Sequence, residues 1–253
     1  MNLMNYPIVI FLSAVLTLWL AARFGVLIRQ RRPRTVDDDR DDFNIVLGAT
    51  LTLLGLIIGF SFSMAIARYD LRKTYEEAEA NAIGTEYVRA DLLPAADGAQ
   101  VRTLLRSYLD QRIAFYQASR TQNLDDINAS TAKIQADLWS VVSRNAIAQP
   151  TAISGLVTSG MNDVLNSQGY TQAAWWNRIP FSAWGLLFLI AIFGNMALGY
   201  QIYKPERNKV LFLVLPLILA ISFFLIADID SPRGGLIRVK PQNLLSLSQS
   251  LHP

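Results

Sequence analysis

The sequence predicts an all-α integral membrane protein. Four transmembrane helices are expected, with a helical extramembrane domain between helices 2 and 3. Three observations carry that expectation. Hydrophobic residues make up 52% of the 253 and charged residues only 17%, below the roughly one quarter found in soluble domains. The apolar excess is gathered into four blocks, the pattern of membrane spans. Between the blocks no long run alternates apolar with polar, so the polar stretch reads as helix and not as strand. The same composition excludes a disordered chain, which is poor in large apolar residues.

Four segments follow: 1–67 for the first two spans and their loop, 68–178 for the extramembrane domain, 179–228 for spans three and four, and 229–253 for a C-terminal tail. The first block runs from Pro7 to about Ile28. Its only charge, Arg23, lies near the end, where it can snorkel to the headgroups. A signal peptide fits poorly, because Met1 to Tyr6 carries no Lys or Arg and the block is too long for an h-region. The second block, Ile45 to Ala67, is uncharged. No helix breaker except glycine stands between Asn44 and Leu93, and Pro94 ends the run. One helix of roughly fifty residues would be about 75 Å long, which puts more than half of it beyond a bilayer. On the projecting part, Leu71, Tyr75, Ala78 and Ala82 share one side. Arg72–Glu76 and Lys73–Glu77 form i,i+4 ion pairs assigned to the solvated side.

Asp97 is placed to cap the next helix. Its apolar face is Val101, Leu104, Leu105, Tyr108, Phe115 and Tyr116. A third domain helix carries Ile134, Leu138, Val141 and Val142 and stops before Pro150. A fourth carries Ile153, Leu156, Val157, Met161, Val164 and Leu165 and stops near Gly169. These stripes read as the core of a helical bundle. Trp175 and Trp176 then suit a headgroup belt. The third membrane block runs from Ile179 to about Tyr203. It carries Asn195 in mid-membrane, expected to bond to a neighbouring helix. The fourth, Val210 to Ala227, is just long enough to cross. Pro216 inside it frees the carbonyl of Phe212 and predicts a kink.

Several function classes are closed off. The net charge is only +3, and the domain holds 11 basic against 12 acidic residues, so no field steers nucleic acid. There is no cysteine, which removes disulfides, thiolate metal sites and cysteine nucleophiles. The one histidine, His252, is next to last, so a catalytic triad or a histidine zinc site would have to recruit a terminal tail. No phosphate-cradling glycine loop appears, and no enzyme is expected. A pore and a non-conducting membrane scaffold or sensor are the two remaining readings. The acidic run Asp37, Asp38, Asp39, Asp41 and Asp42, with Arg40 among it, reads as a solvated loop.

The charge rule for orientation is nearly balanced. One side has Arg23, Arg29, Arg31, Arg32, Arg34, Arg40, Lys204, Arg207 and Lys209, nine in all. The other has Arg68, Arg72, Lys73, Arg178, Arg233, Arg238 and Lys240, seven in all. The denser short loops lean to the inside.

The second span holds the most specific pattern. Gly55, Gly59 and Ser63 fall at i, i+4 and i+8, followed by Ala67. Such a ridge lets another helix approach closely. It serves either packing within one subunit or packing around an oligomer axis, with the other side of the helix exposed to a pore.

Here the sequence resembles a known family. Gly59-Phe60-Ser61-Phe62, followed after five residues by Arg68-Tyr69, resembles the end of the second transmembrane helix of bestrophins, which are pentameric anion channels with some cation-preferring bacterial relatives. The layout agrees, and Ser231-Pro232-Arg233-Gly234 resembles the bestrophin Asn-Pro-Phe-Gly. The whole chain is similar to a bacterial membrane family called bestrophin-like, a domain of unknown function. Its phrases stand here as Gly59 to Ala65, Glu79 to Thr85, Arg89 to Pro94, and Asp228 to Pro232 running into Leu236 to Val239.

The resemblance implies a multi-pass protein of the bacterial inner membrane that assembles as a homo-oligomer, with the lipid bilayer and small inorganic ions as its partners. It implies a narrow apolar neck at Thr52, Leu56 and Phe60, of which only Phe60 keeps the aromatic character. It also places the helical domain inside the cell, against the lean of the charges. Bestrophins with a calcium clasp carry acids after the Pro-x-Gly turn. Here Asp228 and Asp230 precede the turn and no acidic run follows. They are the candidate Ca²⁺ ligands, beside the plainer reading of a helix end paired with Arg233 or Arg238. No other cofactor is implied.

Overall fold

The computed structural model describes residues 6–31, 39–119, 124–202 and 209–251. Every regular element among them is helical. The helices are α1 (Pro7–Arg31), α2 (Asp39–Arg89), α3 (Ala95–Gln117), α4 (Asp125–Ala148), α5 (Ala152–Trp176), α6 (Phe181–Gln201), α7 (Lys209–Asp230) and α8 (Gln242–Leu251), with a 3-10 turn at Ala90–Leu92. Four of these, α1, α2, α6 and α7, contain stretches long and apolar enough to cross a membrane. His252, Asp37 and Asp38 lie outside the described residues.

The helix ends follow from local chemistry. α2 runs unbroken for 51 residues, then tightens into the 3-10 turn and stops at Leu93, whose backbone is extended ahead of Pro94. α5 opens with a reciprocal capping box: the Ser154 amide donates to Thr151 Oγ1 at 3.1 Å, and the Thr151 amide donates to Ser154 Oγ at 2.9 Å. α7 continues as one helix through Pro216.

The chain divides into two compact units. The first comprises Met1–Arg68 and Arg178–Arg238. In it α1 packs along α6 and α7. Where α1 crosses α6 the backbones touch. A Cβ on Gly25 would overlap the Met196 carbonyl, and one on Gly199 would overlap the carbonyl of Ala22. Ala14 and Ala22 of α1 and Ala191 of α6 are fully buried. Such close approach is how helices gain dispersion energy where lipid offers no hydrophobic drive. Ring contacts join the other pairs: Phe188 and Phe223 at 4.9 Å, Phe11 and Phe224 at 6.1 Å, and Phe43 and Tyr200 at 5.3 Å. Asn195 differs from expectation. Its Nδ2 donates 2.8 Å to the Ala191 carbonyl, one turn back on its own helix and not on a neighbour, because that carbonyl is already within reach.

The second unit comprises Tyr69–Asn177 and Val239–Pro253. Its core joins Ile83 of α2, Val101, Leu105 and Tyr108 of α3, Leu138 and Val142 of α4, Val157, Met161 and Val164 of α5, and Leu244 of α8. Several expectations are corrected here. Ile153 and Leu156 are exposed. The buried stripe instead includes Ser154, Gly160 and Thr171, so hydrophobicity alone picked the wrong face for the first turn of α5. That helix passes Gly169 and ends at Trp176. Trp175 is no headgroup anchor, since it packs on Phe115 and Tyr116 at 5.0 and 5.5 Å; Trp176 is exposed. Asp97 sits inside the first turn of α3, where its carboxylate accepts from Asn145 Nδ2 at 3.0 Å, and Pro94 holds the cap position. Along α2, Leu71 and Ala78 are exposed while Arg72 and Glu76 are buried. The i,i+4 pair assigned to solvent therefore faces inward.

Candidate functional site

The membrane half of α2 is buried along one narrow line. Leu47, Leu54, Ser61 and Ala65, spaced seven, seven and four residues apart, make up that line. Such spacing keeps the same side of a helix turned to its neighbours. Thr52, Leu56 and Phe60 are exposed, Leu56 at 54% and Phe60 at 63%. The Thr52 hydroxyl donates to the Gly48 carbonyl at 2.8 Å, which satisfies it without outside help. Gly55, Gly59 and Ser63 are exposed as well, and nothing described lies within 4 Å of a Cβ built on Gly55 or Gly59. Among the described residues, the small-residue ridge is free of packing from the chain's own helices.

At the exit of α7, Asp228 and Asp230 are both buried, but they serve different groups. Asp228 accepts the amides of Leu236 and Ile237 at 2.7 and 2.9 Å. This folds the Ser231-to-Gly235 turn back onto the helix end, so closely that a Cβ on Gly235 would overlap the Asp228 carbonyl. Asp230 accepts from Arg178 Nε at 3.1 Å and from the Ile179 amide at 3.3 Å, with Arg68 Nη1 at 3.8 Å. Two residues apart on a helix, the carboxylates point to opposite sides. Among the described residues no group of three or more acids or histidines is placed to hold a metal ion.

The second unit holds a seam of buried charge. Glu79 and Arg112 are both fully buried, and the Arg112 Nε donates to Glu79 Oε1. The other Glu79 oxygen accepts from Tyr116 and Thr171 at 3.3 and 3.2 Å. The Arg112 guanidinium lies over the Phe115 ring at 4.5 Å. Burial alone would work against its cation, but the adjacent Glu79 carboxylate holds its pKa above the ordinary arginine value. Burial, with Glu79 nearby, raises the phenols of Tyr108 and Tyr116 as well. Glu76 accepts the amides of Asn243 and Leu244 at 2.9 and 3.0 Å, so a side chain of α2 caps α8. Glu86 is fully buried beside Gly160 of α5.

Sequence reasoning missed Gly25 and Gly199, although Ala21–Gly25 and Asn195–Gly199 show the same four-residue spacing as the ridge on α2. It also missed Glu76, Glu79, Glu86 and Arg112. For Arg112 one signal was present: it interrupts the apolar stripe Leu105, Tyr108, Leu109, Phe115, Tyr116 at a core register.

The arrangement defines a multi-pass α-helical membrane protein whose second span continues as a helix into a separate bundle. The chain matches the Bestrophin-like domain over residues 15–244, and it belongs to that family. Its fold is that of bacterial bestrophin homologues. It resembles a crystal structure of the Klebsiella pneumoniae homologue determined by zinc phasing, with a TM-score of 0.62 at 15% identity over 97% of this chain and 99% of that one. Two point variants of that homologue give TM-scores of 0.64 and 0.65 at 12% identity, covering 95% and 94% of this chain and 97% of each of theirs. No curated protein matches the chain.

Proposed function

We propose that the chain assembles into a homo-oligomeric ring in the bacterial inner membrane and conducts small inorganic ions along an axis lined by α2. Thr52, Leu56 and Phe60 would form the neck. The observation that carries this reading is the face of α2 opposite its buried line. It presents Leu56 and Phe60, with Thr52 one turn before them, beside a ridge of small residues, and the chain's own described helices cover neither. In a ring, a neighbouring copy of the helix can settle on Gly55 and Gly59 while Phe60 turns to the axis. A tight apolar ring disfavours water and gates by dewetting. The bestrophin resemblance of the Gly59-Phe60 stretch supports the same assignment. Electron microscopy of the detergent-purified protein tests it: rotational symmetry with α2 around an axial path is expected. A monomer or dimer without such a path contradicts it and favours a scaffold.

A further inference from the structure

The pore reading makes no use of Glu86. This carboxyl lies near the end of α2, is fully buried, and neither of its oxygens has a hydrogen-bond partner among the described residues. The other buried carboxyls differ: Glu76, Glu79, Asp228 and Asp230 all accept from two or more donors. The nearest cation is Arg89 on the same helix, with Nη1 3.8 Å from Oε2, too far for a hydrogen bond. Across the contact α5 offers Gly160, and a Cβ there would overlap both the Glu86 carboxyl and the Arg89 guanidinium. Asp163, on the same helix, adds a repelling negative charge. Asp91 of the adjoining 3-10 turn and Arg102 and Arg106 of α3 are engaged elsewhere: Asp91 pairs with Arg102, and Arg106 donates to the Tyr87 hydroxyl.

A carboxylate without donors is costly to bury, whereas a carboxylic acid is far less so. We infer that Glu86 is a proton-binding site that seats the end of α2 on α5 while protonated and loosens that contact when it ionises. Burial raises its pKa from 4.5 to about 8; Arg89 pulls it down and Asp163 pushes it up. The inference stands apart from the pore reading, since it concerns only contacts within the second unit.

The test uses the full-length protein in detergent, titrated by infrared spectroscopy at the carboxylic-acid C=O stretch. Wild type should show that band at neutral pH and lose it with a midpoint near pH 8. Glu86→Gln should lack the step. Asp163→Asn should move the midpoint down and Arg89→Gln should move it up, a pair of opposite shifts that does not depend on Glu86→Gln folding. Amide exchange in the segments 84–92 and 156–164, corrected for its intrinsic pH dependence, should rise above the midpoint in wild type. The inference is overturned by absence of the band at neutral pH, by a step that persists in Glu86→Gln, by midpoints that fail to move in opposite directions, or by corrected exchange that stays flat.

Discussion

Replacing Arg112 by Leu removes the positive partner that donates to the buried Glu79 carboxylate. Both side chains are fully buried. Breaking a buried ion pair from one side costs about 3–5 kcal/mol, because the remaining charge is left uncompensated. After Arg112→Leu, Glu79 still accepts from Tyr116 and Thr171, which puts the loss near the lower figure, about 3 kcal/mol. Glu79→Leu is worse. Among the described residues the Arg112 Nη atoms already have no hydrogen-bond partner, and losing the Nε contact leaves a buried cation with none of its donors used there. That puts the loss near the upper figure, about 5 kcal/mol. At about 3 °C per kcal/mol, these become falls of about 9 and 15 °C in melting temperature. The double replacement Glu79→Leu/Arg112→Leu puts apolar groups on both sides and should cost less than either single change. Thermal unfolding followed by tryptophan fluorescence is a direct assay, because Trp175 packs against Phe115 and Tyr116 beside the pair. Single variants that melt within about 2 °C of wild type, or a double variant that loses the sum of the singles, would refute the reasoning.

Four further outcomes follow from other contacts in the fold. Glu86 carries a pKa of about 8 in the fold against an ordinary 4.5, so the fold holds a proton that the unfolded chain releases. Its contribution to stability is full below about 4.5 and is lost as pH rises to about 8; Glu86→Gln should therefore melt above wild type at pH 8 and converge with it in acid. Gly199→Leu drives a side chain into the Ala22 backbone and should cost at least the roughly 1–3 kcal/mol of an overpacked core, read as lost monodisperse protein in detergent. Gly59→Leu meets open space in the single chain, so it should leave the fold intact while size-exclusion chromatography shows a smaller assembly. Glu76→Ala removes the cap of α8 and about 1 kcal/mol or more, which limited proteolysis should detect as earlier cleavage within 242–251.

What could be read from the sequence divides along a physical line. The four spans were legible because length and apolarity suffice to mark a membrane helix. The continuity of α2 was legible because nothing between Asn44 and Leu93 breaks a helix. The bundle stripes on α3 and α4 were legible from spacing. The buried charges were not, because a charge goes inward only where partners meet it, and those partners are distant: Glu79 meets Arg112 and Thr171 at separations of 33 and 92 residues. Hydrophobicity therefore assigned Arg72 and Glu76 to the solvated side and Leu71 to the other side, whereas Arg72 and Glu76 are buried and Leu71 is exposed. α8 was hidden for the same reason. Its leucines are spaced as a short amphipathic helix, but the side chain that caps it comes from Glu76, 167 residues from Asn243. At the candidate neck, sequence could match Thr52, Leu56 and Phe60 to a family pattern. That they share a face with no covering from the chain's own described helices emerged only from the fold.

The central claim is that α2 lines an ion path, and ion flux through liposomes carrying the purified protein tests it most directly. The account predicts a flux for small inorganic ions that changes when Phe60→Ala widens the neck, with the assembly unaltered. Liposomes that pass neither anions nor cations, for wild type and Phe60→Ala alike, would contradict it.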